Sequence, residues 1–323
     1  MGGSSYSDDL YRDRVADRVA RGVPTFHHDS NIRSGKVAKA AHSNLDPKGV
    51  LRESRDSDAH PDSVAIGIVF DVTGSMGGIP VQLQKKLPDL MGLLLRQGYI
   101  KDPQICFSAV GDYFSDKVPL QVGQFESGIE MDDDLTKIFL EGGGGGSFEE
   151  SYELALYFYA KKTSADCFEK RGKKGYLFLV GDEKPYAVAS RDALSSIIGD
   201  TVQEDLPVER IVEMAQQKYE VFFIIPTGSS HGGNKRDLRE LHARWGTLLG
   251  EQRVIDLDDP DKVCEVIGHT IGLLEGTADA AHFAADASVS AALDPLAKST
   301  ALARSGSADI AETSARPDTN VRL

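Results

Sequence analysis

The sequence predicts an α/β domain built on a doubly wound, mostly parallel sheet with one antiparallel edge strand and helices on both faces. Three observations carry this. The chain has 323 residues of which 41% are hydrophobic, enough for one large core with extensions. From Ser63 to Gly276, apolar runs of strand length alternate with amphipathic helical stretches, the pattern of a parallel sheet wrapped by helices. The first run, Val64-Ala65-Ile66-Gly67-Ile68-Val69-Phe70, shows no polar alternation, so both its faces must be covered.

The elements follow in order. Val64 to Phe70 reads as the central strand. Pro80 opens a helix where a missing amide proton costs nothing, Val81, Leu83, Leu87, Leu90 and Leu94 supply its buried stripe, and Pro88 should kink it. Ile105 to Val110 and Val118 to Phe125 flank Gly111-Asp112-Tyr113-Phe114-Ser115-Asp116, which reads as a turn, and so predict a hairpin whose second arm lies at a sheet edge. A five-glycine run, Gly142 to Gly146, precedes a helix from about Glu150 to Lys161. Strands are expected at Tyr176 to Val180, Val221 to Ile225 and Val254 to Leu257. In the last helix Asp259 caps, Pro260 takes the first turn, Val263, Val266, Ile267, Ile271 and Leu274 form one face, and Gly276 ends it.

Two segments flank this domain. Residues 1–62 form an arm with balanced charge and no independent core, in which turn chemistry at Asp46-Pro47 and Lys48-Gly49 lets residues 44–57 lie across the domain and brace the first strand. Residues 277–323 are Ala, Ser, Thr and Asp with few large apolar side chains, which predicts a mobile tail; a short helix around Asp279 to Leu293 would need a surface to dock on.

Composition excludes several functions. A formal net charge of −14 disfavours a sequence-independent grip on nucleic acid, which needs a dense field of Lys and Arg. Three distant cysteines, Cys106, Cys167 and Cys264, support neither a disulfide framework nor a cysteine zinc site, and fit a reducing cytoplasm. Met1 to Asp17 has no apolar core of signal-peptide length and no later stretch approaches a membrane span, so a cytoplasmic location without membrane insertion is expected.

Ligands of open α/β sheets gather beyond the carboxyl ends of the strands. There the first strand leads into Asp71-Val72-Thr73-Gly74-Ser75, where a carboxylate and two hydroxyls fall at alternate positions and Gly74 lets the backbone turn. The strand ending at Val180 leads into Gly181-Asp182-Glu183, and the glycine run leads into Ser147-Phe148-Glu149-Glu150-Ser151. A hard cation such as Mg²⁺ or Mn²⁺ takes six oxygens and keeps some water, so one or two carboxylates plus hydroxyls suffice.

Apolar strand, Asp-x-Thr-Gly-Ser-Met, glycine-rich loop before a helix, and a second apolar strand followed by Asp together resemble the metal-ion-dependent adhesion site of von Willebrand factor type A domains. The likeness covers about Ser63 to Gly276. The family's usual motif is Asp-x-Ser-x-Ser; Thr73 keeps the hydroxyl of the first Ser. The resemblance implies that Asp71 holds the ion directly or through water, that Thr73 or Ser75 coordinates by hydroxyl, and that Asp182 is the outer carboxylate. Where many members have a second-loop Thr this chain has Gly145 and Gly146, so Ser147 or Glu149 would substitute. It further implies an open coordination position filled by an Asp or Glu of a partner protein, and for intracellular members a role as adaptor or assembly factor for ring-forming ATPases. Asp112, Asp116 and Glu149, with Glu183, are expected to contact the partner, and Asp112, Asp116 and Glu183 to form an acidic rim.

The simpler alternatives explain less. A helix cap accounts for Asp71, Thr73 and Ser75 but not for Asp182 as well. A phosphate loop wants Lys and Ser or Thr after its glycines, and Gly146 is followed by Ser147-Phe148-Glu149. A Mg²⁺-dependent phosphatase or phosphotransferase of the haloacid-dehalogenase type would commonly carry a second Asp, its general acid, where Thr73 stands. A non-enzymatic, metal-dependent protein-interaction module is therefore the expectation.

Overall fold

The structure, a computed structural model, describes residues 6–24, 26–143 and 146–314, with side chains to residue 303. Its centre is a six-stranded sheet of β1 (Ser63–Asp71), β2 (Asp102–Val110), β3 (Leu120–Val122), β4 (Gly175–Val180), β5 (Tyr219–Pro226) and β6 (Val254–Leu257). The spatial order is β6-β5-β4-β1-β2-β3. Every pairing is parallel except the edge hairpin of β2 with β3, as the sequence predicts. β1 is buried at all nine positions because it lies between β2 and β4 and has helices on both faces.

Alternation along β1 divides the core in two. Val64, Ile66, Ile68 and Phe70 face α3 (Ile79–Lys86), α4 (Asp89–Arg96), α5 (Glu130–Lys137), α9 (Val263–Glu275) and α10 (Ala287–Ser314). Ala65 and Val69 face α6 (Tyr152–Lys161), α7 (Val208–Lys218) and α8 (Lys235–Leu249). α6 is buried from Tyr152 to Ala160, and it approaches β1 closely because a Cβ at Gly67 would overlap the Tyr159 ring. Pro88 splits the predicted first helix into α3 and α4 rather than bending one helix. Asp259 caps the turn containing Pro260, and Gly276, with φ of 77°, ends α9 in the left-handed region.

The arm is tied to the domain along its length. Before β1, α1 (Asp8–Ala20) buries no side chain and is held by ion pairs of Arg14 with Asp133, Arg18 with Asp132 and Asp8 with Arg96, and α2 (His27–Arg33) packs against α5. Leu45 is fully buried and its carbonyl accepts the Val122 amide, while Arg52–Ser54 pairs in parallel with Thr163–Ala165. Residues 44–57, expected to brace the first strand, instead pair with the segment after α6 and anchor on β3, and reach β1 through Asp56, whose carboxylate accepts the Ser63 amide.

The expectation of a mobile tail from residue 277 is corrected over the described residues. Phe283, Val289, Leu293 and Leu296 are buried in the core beside α9, the last three at helical spacing in α10. This apolar stripe has the docking surface that the composition alone did not disclose. Among the described residues no helix is long and apolar enough to cross a membrane.

Candidate metal centre

The strand order places a crevice at a defined point. Chain connections leave β1 towards β2 on one side and return to β4 on the other, so the order reverses between β1 and β4, where carboxyl-end loops part and ligands of doubly wound sheets bind. Asp71 is the last residue of β1, and Asp182 lies two residues beyond the end of β4. The four oxygen-bearing residues singled out for the metal at these two strand ends are brought together here.

Asp71 Oδ1 accepts the Thr73 amide at 2.8 Å and the Thr73 hydroxyl at 2.6 Å, and its Oδ2 accepts the Tyr152 hydroxyl at 2.7 Å. Thr73 Oγ1 is 3.2 Å from Ser75 Oγ, which donates to Asp182 Oδ1 at 2.7 Å. Asp182 Oδ2 accepts the His231 amide at 2.9 Å, and the adjoining Ser230 amide donates to the Ser75 carbonyl at 3.0 Å. The first loop can turn this tightly because residue 74 is glycine: its amide donates to the Gly143 carbonyl, and a Cβ there would lie 2.8 Å from that oxygen.

Buried carboxylates crowd together at this point. Asp71 and Asp182 are fully buried and Glu183 nearly so, yet one carboxylate oxygen from each lies within 4.8 Å of the others. Burial, with the neighbouring Asp182 charge adding to it, pushes the Asp71 carboxyl up to about 7 despite its hydrogen bonds. Burial and then Asp71 push Glu183 up to about 8. Glu150, buried beside them and hydrogen-bonded to Glu183, is raised by burial and by the Asp71 and Glu183 charges. Among the described residues no Lys or Arg pairs with any of these four; the one basic neighbour is His231, whose Nε2 is 3.6 Å from Glu183 and whose Nδ1 is 2.9 Å from Asp237. Buried carboxylates left unpaired are costly. An all-oxygen set of carboxylates and hydroxyls fits a hard divalent cation such as Mg²⁺ or Mn²⁺.

The second loop departs from expectation. Ser147 is exposed, donates to the Glu149 carbonyl at 3.1 Å and lies 3.4 Å from the Tyr186 hydroxyl; none of its hydrogen bonds reaches Asp71, Thr73, Ser75 or Asp182. Gly145 lies outside the described residues. Gly143 meets the first loop, through its carbonyl oxygen.

The acidic rim is also corrected. Asp112 is buried and serves its own turn, accepting the Phe114 amide and the Tyr186 hydroxyl, both at 3.1 Å. Asp116 and Glu149 are half-buried; Asp116 accepts the Asp112 amide, and Glu149 sits in a short parallel pairing with Lys184. Glu183 belongs to the buried carboxylate cluster instead of a solvent-facing edge.

Tyr152, Glu150 and His231 join the site although the sequence gives them no role there. Glu150 adjoins a residue that the sequence does single out, whereas Tyr152 and His231 reach the site through the packing of α6 and the loop after β5, for which no local signal exists.

No family model and no curated protein matches the chain. Among solved structures it is similar to the pilus adhesin SpaC from Lactobacillus rhamnosus GG in its open conformation, with 11% identity over 72% of this chain and 33% of that one and a TM-score of 0.47. It is also similar to proximal thread matrix protein 1 from the mussel byssus, with 11% identity over 66% of this chain and 46% of that one and a TM-score of 0.42. The chain therefore spans between a third and a half of the length of these structures.

Proposed function

We propose that this chain is a metal-ion-dependent protein-interaction module of the von Willebrand factor type A kind, in which Asp71, Thr73, Ser75 and Asp182 form the site for Mg²⁺ or Mn²⁺. The observation that supports it most is the Asp71–Thr73–Ser75–Asp182 hydrogen-bonded chain at the sheet's switch point, with two fully buried carboxylates and no Lys or Arg ion pair to either among the described residues. Glu183 joins them as a further carboxylate. The hydroxyls of Thr73 and Ser75 and the carboxylates of Asp71 and Asp182 would hold the cation, which supplies a positive charge at the carboxyl end of the sheet. A partner's Asp or Glu completes its coordination, so recognition depends on both metal and carboxylate.

On this reading the module serves as an adaptor or assembly factor, with a ring-forming ATPase as the partner class that the resemblance implies. Three free, buried cysteines suit a reducing cytoplasm. No catalytic role is assigned: a phosphatase would need a proton donor where Thr73 stands, and Thr73 donates to Asp71.

The test is capture of protein partners on the immobilised chain in Mg²⁺ and in EDTA, with Asp71→Asn alongside. Capture should require both Mg²⁺ and Asp71. Capture indifferent to both, or Mg²⁺-dependent hydrolysis of an aryl phosphate lost in Asp71→Asn, would contradict the reading.

A further inference from the structure

Directly beside Ser75, between the loop after β1 and the loop after β5, lies a groove of about 460 Å³ whose lining includes Ser75, Gly77, Gly78, Gly228, Ser230 and Pro260. None of its lining side chains is charged, although the adjoining cluster holds Asp71, Asp182 and Glu183. Gly77, Gly78, Gly228 and Ser230 are exposed along it, and a Cβ built at Gly77, Gly78 or Gly228 would meet nothing within 4 Å. Of these three, Gly77 alone has a positive φ. At Gly78 and Gly228, then, neither backbone conformation nor crowding calls for glycine; what its absence of a side chain supplies there is room for another backbone to approach.

Both walls are fastened to the proposed metal ligands. The Ser75 carbonyl accepts the Ser230 amide, and the Asp182 carboxylate accepts the His231 amide. The groove thus begins at a ligand hydroxyl, and its two sides keep their spacing through the same residues that hold the cation. Ile79 and the half-buried Pro260 offer apolar contact along it, and Gln82 and Ser230 offer neutral hydrogen-bonding groups.

Building on the metal-dependent reading above, we propose that this groove receives an extended segment of the partner protein in which the metal-seeking Asp or Glu is flanked by an uncharged, apolar side chain. The carboxylate goes to the cation, the neighbouring backbone lies over Gly77, Gly78 and Gly228, and the apolar side chain rests on Ile79 and Pro260. A Lys or Glu in that flanking position would be desolvated against a wall with no opposite charge, which selects against it.

The experiment uses an acetylated, amidated Gly/Ser peptide carrying one central Asp followed by Leu, and matched peptides with Asn for Asp or Lys for Leu. Binding to the full chain is followed by amide chemical shifts in Mg²⁺ and in EDTA. Gly78→Leu and Gly228→Leu fill the groove without touching a ligand, and their Mg²⁺-dependent thermal shift is measured in parallel. The Asp-Leu peptide should bind only with Mg²⁺ and perturb the Gly77, Gly78 and Gly228 amides; Asn should abolish binding, Lys should weaken it, and either groove variant should lose about tenfold or more in affinity while keeping the parent's Mg²⁺ shift. If the parent shows the Mg²⁺ shift but the groove variants bind the peptide as tightly, or the parent binds no peptide, the groove proposal is overturned and the metal site stands. If the parent shows no response to Mg²⁺ or Mn²⁺ at all, the metal reading fails and the groove proposal falls with it.

Discussion

The Ser75 hydroxyl donates a 2.7 Å hydrogen bond to the buried carboxylate of Asp182, joining the loops after β1 and β4 across 107 residues of sequence. Two neighbouring strands of one sheet thereby present a single set of oxygens. Around it Tyr152 from α6 and the His231 amide from the loop after β5 hold the outer carboxylate oxygens in place. The carboxylates are positioned by their hydrogen bonds, and among the described residues no Lys or Arg forms an ion pair with them.

Tyr152 should act on the site through position 181. A Cβ at Gly181 would overlap the Tyr152 hydroxyl, and the Gly181 amide is fixed on the Ile224 carbonyl, so Gly181→Ala must displace the tyrosine from Asp71. Expected are a loss of about 1–3 kcal/mol in urea unfolding and a weakened thermal response to Mg²⁺. Gly228→Ala, placed in open space, should change neither. Parental behaviour in Gly181→Ala would count against Tyr152 as a supporting residue.

Proton and metal should compete for Asp71. Its carboxyl is raised from 3.8 to about 7 in the folded chain, so between those values the folded state keeps a proton that the unfolded state has released. Metal-free stability from this group is therefore lost as pH rises through that window. Because a ligating carboxylate must be deprotonated, the stabilisation by Mg²⁺ should grow from pH 6 to pH 8. Thermal melts at both pH values, with and without Mg²⁺, check the sign; a larger Mg²⁺ effect at the lower pH contradicts it.

α10 should contribute to global stability. Leu293 is fully buried against the core, and Leu293→Ala should cost about 2–5 kcal/mol in urea unfolding. A cost under about 0.5 kcal/mol is what a solvated tail would show.

The parts of this fold that could be read from the sequence are those in which local pattern and burial coincide. β1, β4 and β5 are continuous apolar runs because they lie inside the sheet, and Asp71, Thr73, Ser75 and Asp182 could be named because they adjoin the ends of two such runs. α7 and α8 give only a weak sequence signal: their core contacts rest on a few residues, such as Ile211, Val212, Leu241 and Trp245, set among charges. The segment after Thr277 reads as a tail because mean composition hides a stripe at 289, 293 and 296. Asp112 and Glu183 looked like surface acids because burial is a tertiary property, and Glu150, Tyr152 and His231 enter the site only when α6 and the loop after β5 pack against β1 and β4.

The most direct test is titration of the parent chain and Asp71→Asn with Mg²⁺ and with Mn²⁺ while following thermal unfolding. Asn keeps the shape of the side chain but removes its charge. The parent's stability should rise with metal concentration, by about 2.7 kcal/mol at a hundredfold excess over Kd, while the variant should stay flat. A parent indifferent to both ions, or a variant that responds as the parent does, would contradict a cation site at Asp71.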